Sequence, residues 1–281
     1  LIADADEKMA LLRLNVLAGM KARAGIAYSA ARDYFAQAAA LITSDAWARH
    51  YEETLELYLA LAECEYLAGD VDSAGQLFEL MLGRARSDLD RARIYSLRIK
   101  VYQASSRYDE SVVLVLEALQ LFGVTFPESD DEIQAAAEAE FQAITTNLRG
   151  RRIGDLLDAP PADVPEVRAI IGLLVDAAPA AYNGRPKLFP LVTMKAVNFS
   201  LRYGHTDQSS YAYAVHALTL VSVYGDLAQA FDFSEMALRI NDRFNNARLR
   251  GALLHLHGDH VNFWRRPFAT GIPTCCFSRR R

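Results

Sequence analysis

The stretch HLHGDHVNFW, residues 255–264, places His255, His257, Asp259 and His260 within six positions. Imidazole nitrogen and carboxylate oxygen are the ligands that hold zinc and related ions, so this is where metal chemistry would be sought. On a helix at 100° per residue, His257 and His260 lie about 60° apart and could share an ion, whereas His255 sits about 160° from His257, on nearly the opposite side. Two histidines without a third ligand are half a site, and a polar patch beside Trp264 is the competing reading. A metal-dependent enzyme using His257 and His260, with Asp259 nearby, is therefore a remote alternative for this sequence.

Glu52, Glu53 and Glu56, with Glu63 and Glu65 further along, could in principle do acid–base work. Their interleaving with Leu55, Leu57, Leu59 and Leu61 reads better as the solvated face of an amphipathic helix. The basic stretch Arg84, Arg86, Arg91, Arg93 and Arg98 is flanked by Glu79, Asp88 and Asp90, which makes it an ion-paired surface. Tyr28, Tyr34, Phe35, Tyr58, Phe78, Tyr211 and Tyr213 fall at helical spacing and read as core or groove lining. No phosphate-binding Gly-x-x-x-x-Gly-Lys-Ser/Thr loop occurs, nor a kinase Gly-x-Gly-x-x-Gly, His-Arg-Asp or Asp-Phe-Gly, nor a Gly-x-Ser-x-Gly elbow, nor His-Glu-x-x-His. The expectation is no catalytic, cofactor-binding or metal residue, and no cofactor.

The chain around these residues is 281 long, 52% hydrophobic, with mean hydropathy +0.02, enough to bury one or two cores. Its formal charge of -5 hides an asymmetry. Five of the 30 basic residues fall from Arg265 onward, where there is no acid, so the preceding body sets 25 basic groups against 35 acidic ones. An acidic body argues against nucleic acid as the partner. Cys64 stands alone and Cys275 and Cys276 are adjacent, so no disulfide framework is indicated. No run of 18 apolar residues and no signal-like leader is present, and the expectation is a cytoplasmic protein with no membrane partner.

Residues 1–126 contain no proline, and the whole chain reads as helix, roughly 3–18, 21–42, 45–68, 71–86, 88–104, 108–122, 130–149, 164–178, 188–203, 208–224, 227–244 and 247–265. Asp45, Asp70, Asp130 and Asp226 are expected N-caps, and Gly123 a stop. The Pro-rich DAPPADVP, 158–165, is the expected connection between an N-terminal array, 1–157, and a C-terminal array, 166–267, and a loop inside one solenoid explains it equally well. One spacing recurs around the turns. From Gly69, an apolar residue stands seven earlier (Ala62), a small residue five later (Ala74) and an aromatic nine later (Phe78). The same frame laid on Gly19 gives Leu12, Ala24 and Tyr28; on Ser106 it gives Ile99, Ser111 and Val115; on Gly204 it gives Val197, Ser209 and Tyr213; on Gly225 it gives Leu218, Ala230 and Ser234. A small residue lets two antiparallel helices approach, a bulky one fills the groove beside it, and glycine closes the first helix in a left-handed cap. The frame resembles the tetratricopeptide pattern, although only Tyr102 matches its first-helix tyrosine and the anchors recur at irregular intervals of 50, 37, 98 and 21 residues. The expected fold is all-α, antiparallel helical hairpins stacked in a tetratricopeptide-like α-solenoid.

Four segments together, LLRLNVLAGMKARAGIAYSAARDYFAQAAALI (11–42), EALQLFGVTFP (117–127), VNFSLRYGHTDQSSYAYAVHAL (197–218) and VNFWRRP (261–267), resemble the helical region of large bacterial signalling proteins. In that family an AAA-type ATPase module, often preceded by a serine/threonine kinase domain, leads into this region, and GAF and sensor histidine kinase domains follow it. The resemblance spans residues 8–267 and implies a non-catalytic interaction and regulatory region inside an ATP-binding protein kinase, with flanking domains of the same parent, or another protein or peptide, as partner. A stand-alone scaffold or transcriptional regulator of the same fold is the alternative. Residues 268–281, FATGIPTCCFSRRR, break the helical period and are expected to be an aberrant or disordered tail from a reading-frame change, leaving Phe263 and Trp264 less buried; a metal, palmitoylation or polybasic anchor signal in Cys275, Cys276 and the terminal arginines is the alternative.

Overall fold

The computed structural model describes residues 5–43 and 45–267. Those residues are almost wholly helical, and the single β-type pairing among them is a parallel bridge between Pro161 and His205. The chain divides into two compact units, Leu1–Val101 and Tyr102–Arg281.

The first unit holds α1 (Ala5–Ala24), α2 (Tyr28–Ala40), the single turn α3 (Ala46–Arg49), α4 (Tyr51–Leu67), α5 (Val71–Arg84) and most of α6 (Asp88–Ala104). Here α1 packs on α2, α2 on α4, and α4 on α5. Ala31, Phe35 and Ala38 of α2 meet Leu57, Leu61 and Cys64 of α4 in one apolar cluster, which Leu12 and Val16 of α1 join from the side. Each large side chain sealed there contributes about 1.5–3 kcal/mol. The sulfur of Cys64 is part of this core, and burial pushes its thiol up to about 11.

Three local expectations are corrected in this unit. Helix α1 does not stop at Gly19. It runs on to Ala24, and Gly19 lies inside it, where a Cβ would come within 2.7 Å of the Phe35 ring. The missing side chain is there for close approach and not for a left-handed cap. That cap falls seven residues later on Ile26 (φ 62°), whose branched side chain disfavours the conformation and so hid it from a search for glycine. Ala24 consequently ends α1 exposed, and Tyr28 begins α2 half-buried. The helix expected over 45–68 is interrupted at His50 (φ -130°, ψ 50°), and Asp45 accepts from the Thr43 hydroxyl without capping the backbone, whereas Asp70 does cap, accepting from the Ser73 amide at 2.9 Å.

The second unit contains α7 (Tyr108–Gln120), α8 (Asp130–Leu148), a 3₁₀ turn (Ile153–Asp158), α9 (Pro165–Gly184), α10 (Leu188–Tyr203), α11 (Ser209–Thr219) running into a π turn (Leu220–Tyr224), α12 (Leu227–Phe244), and α13 (Ala247–His255) followed by a second π turn (Leu256–Val261) and a short 3₁₀ turn (Asn262–Trp264). Helix α9 packs on α7, α10 on both α8 and α9, and α11 on α10 and α12. Ser129, not Asp130, caps α8, and Asp226 caps α12. Helix α9 continues six residues past its expected end and through Pro179, because Ala177, Ala178, Ala180 and Ala181 are all buried around the lost hydrogen bond.

The Pro-rich segment 158–165 lies inside this unit. The His205 amide donates to Pro160 O at 2.9 Å and the Ala162 amide donates to His205 O at 2.8 Å. Gly204 (φ 102°, ψ 175°) permits the crossing, since a Cβ there would stand 2.5 Å from Pro160 O. Arg243 of α12 fixes the upstream side by donating to the carbonyls of Leu157 and Ala159. The segment expected to separate two arrays is thus tied into one of the units. The expected tail, 268–281, lies outside the described residues.

Candidate functional site

The histidine-rich segment is built by the second π turn. Hydrogen bonds from residue i to i+5 set residues five apart one above the other, and the rings of His255 and His260 accordingly meet at 5.3 Å, nearly perpendicular. His255 Nδ1 lies 2.7 Å from Asp259 Oδ2 at the surface. His257 turns the other way, into the core, where its Nδ1 is 2.9 Å from Ser234 Oγ of α12 and its ring lies against Phe231. Burial, helped by Arg266 and opposed by Glu235, holds its pKa below the ordinary imidazole range. The pairing of His257 with His260 is corrected: 3.6-residue geometry does not apply where the helix widens, and the turn brings together His255 and His260 instead. Among the described residues, no three His, Cys, Asp or Glu side chains are grouped closely enough to hold a metal ion.

A second polar cluster, unforeseen from spacing, lies between α10, α11 and α12. Ser200 Oγ donates to Ala196 O at 3.0 Å and contacts Ser209 Oγ at 2.8 Å, which in turn accepts from the Thr206 amide at 2.9 Å. His205 Nε2 meets Tyr213 Oη at 3.0 Å, and Tyr213 stacks on Phe233. His216, sealed in α11, sets its ring edge against Phe233 at 5.1 Å. Desolvation pushes His216 down to about 3 and, with the charges of Arg243 and Arg151, His205 down to about 4, while it raises Tyr213 above the ordinary phenol range. These groups are neutral and walled off from solvent. What they can do is fix how α10, α11 and α12 sit on one another, since a buried polar network allows few alternative registers. The signal for His216 was its place in the apolar run YAYAVHALTL, which a search for ligand spacing passes over.

Measured from five residues of positive φ, buried positions fall in one register, which the expected anchors Gly19, Ala24 and Tyr28 do not join, because the turn is at Ile26. Ile26, Gly69, Ser106, Gly204 and Gly225 all have positive φ. Five residues later stand Ala31, Ala74, Ser111, Ser209 and Ala230; nine later, Phe35, Phe78, Val115, Tyr213 and Ser234; twelve later, Ala38, Met81, Ala118, His216 and Ala237. All fifteen are buried. On the helices before the turn, Leu55, Leu57, Ala62 and Cys64 of α4 are matched at equal distance by Ala92, Ile94, Ile99 and Val101 of α6, again all buried. In this frame Gly19 occupies the place of Ala62, seven before the turn. Tyr102 is half-buried with the Arg107 guanidinium 4.1 Å over its ring.

The charged faces are paired. Arg93 of α6 forks to Glu52 at 2.7 Å and to Glu56 on α4, and Arg98 reaches Glu79 of α5 at 2.7 Å, so the basic stretch of α6 is answered by carboxylates of both neighbouring helices inside the first unit. In the second unit, Lys195 Nζ donates to Glu140 Oε1 at 2.9 Å and Asn198 Nδ2 to Glu140 Oε2 at 2.6 Å, a bridge between α8 and α10 that no motif announced. No described helix is long and apolar enough to cross a membrane.

Two polar clusters, a repeated burial register and paired charged faces are what the described residues present. The chain is similar to hybrid signal transduction histidine kinase G of Dictyostelium discoideum, at 22% identity over 301 aligned positions. The match takes in 97% of this chain and 9% of the kinase. The chain is distantly related to a signalling histidine kinase and spans a small fraction of its length. No family profile and no solved structure matches the chain.

Proposed function

We propose that the chain is a non-catalytic interaction and regulatory region of a larger signal-transduction protein of the ATPase and histidine kinase type, built of tetratricopeptide-like hairpins stacked as an α-solenoid and acting in the cytoplasm. The observation that carries this reading is the near-complete coverage of the chain by similarity to a small part of a hybrid histidine kinase. The shared burial register of five turns supports the repeat architecture, because hairpins that repeat their buried positions can continue one core from unit to unit and leave extended faces free for protein contact. The ligand is a peptide or a neighbouring domain of the same parent, not nucleic acid or membrane.

The reading is tested by asking the isolated chain for the parent's chemistry and for its contacts. Calorimetry with ATP should show no binding, since phosphate-cradling and base-positioning residues are missing from the sequence. Titration with separately produced neighbouring segments of the parent should show saturable binding. Micromolar ATP affinity, or indifference to every neighbouring segment, would contradict it. A stand-alone scaffold or transcriptional regulator is the second reading, and an upstream start and a downstream stop codon immediately around the coding sequence would favour it.

A further inference from the structure

Helices α1, α4 and α6 hold the same place relative to their turns, so their positions can be compared one for one. Twelve residues before the turn stand Leu14, Leu57 and Ile94. Leu57 is 5% exposed and Ile94 is fully buried, yet Leu14 is 62% exposed, with Leu17 beside it at 62% and Met20 at 50%. The cause on α4 is visible: Leu57, Leu61 and Cys64 are covered by Ala31, Phe35 and Ala38 of α2, the second helix of the preceding pair. Helix α1 packs Leu12 and Val16 against the cluster that α2 and α4 share, and then carries a second apolar face that nothing among the described residues covers. Four large apolar side chains on one helix, Met9, Leu14, Leu17 and Met20, are more than a solvated surface ordinarily shows.

We propose that the Leu14–Leu17 face of α1 is the seat of one further helix of the α2 kind, an amphipathic helix with small, aromatic and small residues at i, i+4 and i+7, supplied by another part of the same polypeptide. The proposal rests on reading the chain as a hairpin-array region of a larger protein, and names its partner. The α2–α4 interface is the template: the incoming helix would lie on α1 as α2 lies on α4, continuing that interface by one step. Lys21 stands where α4 has Cys64 and α6 has Val101, which places a cation at the edge of the seat and distinguishes it from the internal interfaces. Recognition by an apolar helix face set against a helix is an established mode of peptide binding.

The test titrates the full 281-residue chain with a stapled, fluorescein-labelled helix of the α2 sequence, residues 27–41 (AYSAARDYFAQAAAL), stapled because so short a helix is otherwise marginal in water. Saturable binding is expected, weakened at least tenfold by Leu14→Asp and by Leu17→Asp, with circular dichroism and melting temperature unchanged in both variants. Absence of saturable binding, or binding that ignores both substitutions, would overturn the proposal. So would a dimer of the chain that Leu14→Asp dissolves, since the face would then belong to a second copy. Leu57→Asp separates the two levels of the argument. If it lowers the melting temperature sharply while the stapled helix fails to bind, the seat alone is wrong; if Leu57→Asp is also silent, the array reading fails with it.

Discussion

Protonating His216 would put a charge in a fully desolvated place where Nδ1 has no partner, so the folded chain resists it. An unfolded histidine takes its proton near pH 6.5. Folded His216 holds off to about 3, and His205, desolvated and within the field of Arg243 and Arg151, to about 4. Between those limits the unfolded chain binds more protons than the folded one. Stability is therefore complete above pH 6.5 and falls as pH drops towards 4, by about 1.4 kcal/mol per pH unit for each histidine. Melting curves from pH 7 to 4.5 should show this slope, and His216→Phe should reduce it; an unchanged slope would refute the account of His216. Glycines give a second test at this scale. Gly19→Ala sets a Cβ 2.7 Å from the buried Phe35 ring and should cost about 1–3 kcal/mol despite the better helix propensity of alanine. Gly75→Ala in α5 meets nothing within 4 Å and should stabilise by about 0.5–1 kcal/mol. Urea unfolding of both variants checks the pair, and equal effects would remove the distinction between them.

Elements were legible where one physical signal dominates. Most helix boundaries follow from capping chemistry and apolar period, as at Asp70, Asp226 and the Gly69 turn. The misses have separate causes. Gly19 offered the residue type of a left-handed cap, but packing against Phe35 claimed it and the cap fell to Ile26. The π turn at 256–261 cancels the 3.6-residue arithmetic on which the His257–His260 pairing rested. The 158–165 segment is not a miss of this kind: its composition suits a connection between arrays and a loop inside one alike, and the polar pairing of Pro160 and Ala162 with His205 is a long-range fact that composition does not carry. Gly204→Ala tests that pairing. Its Cβ would clash with backbone at Pro160, Pro161 and Ala162, in a conformation that only glycine adopts readily, and the loss should be about 3 kcal/mol or more. Amide exchange at Ala162 and His205 should rise in the same variant; protected amides there would contradict the account.

Taken as a molecule, the chain spends its polar groups on helix-to-helix pairing, as in Arg93 with Glu52 and Lys195 with Glu140, and its apolar groups on a repeated register. Both hold helix to helix, and the chain is distantly related to a small part of a signalling histidine kinase. The candidate site was less legible than the fold because a docking face has no residue signature: Leu14 and Leu57 are the same residue type, and only the helix that covers one of them tells them apart. The most direct measurement of the central claim is amide hydrogen exchange on this chain, alone and within its full parent polypeptide. The account predicts that protection rises in the parent on the exposed helix faces, α1 foremost, while the buried register residues change little. Identical protection in both contexts would contradict it, because a region whose work is contact with its neighbours must be shielded by them.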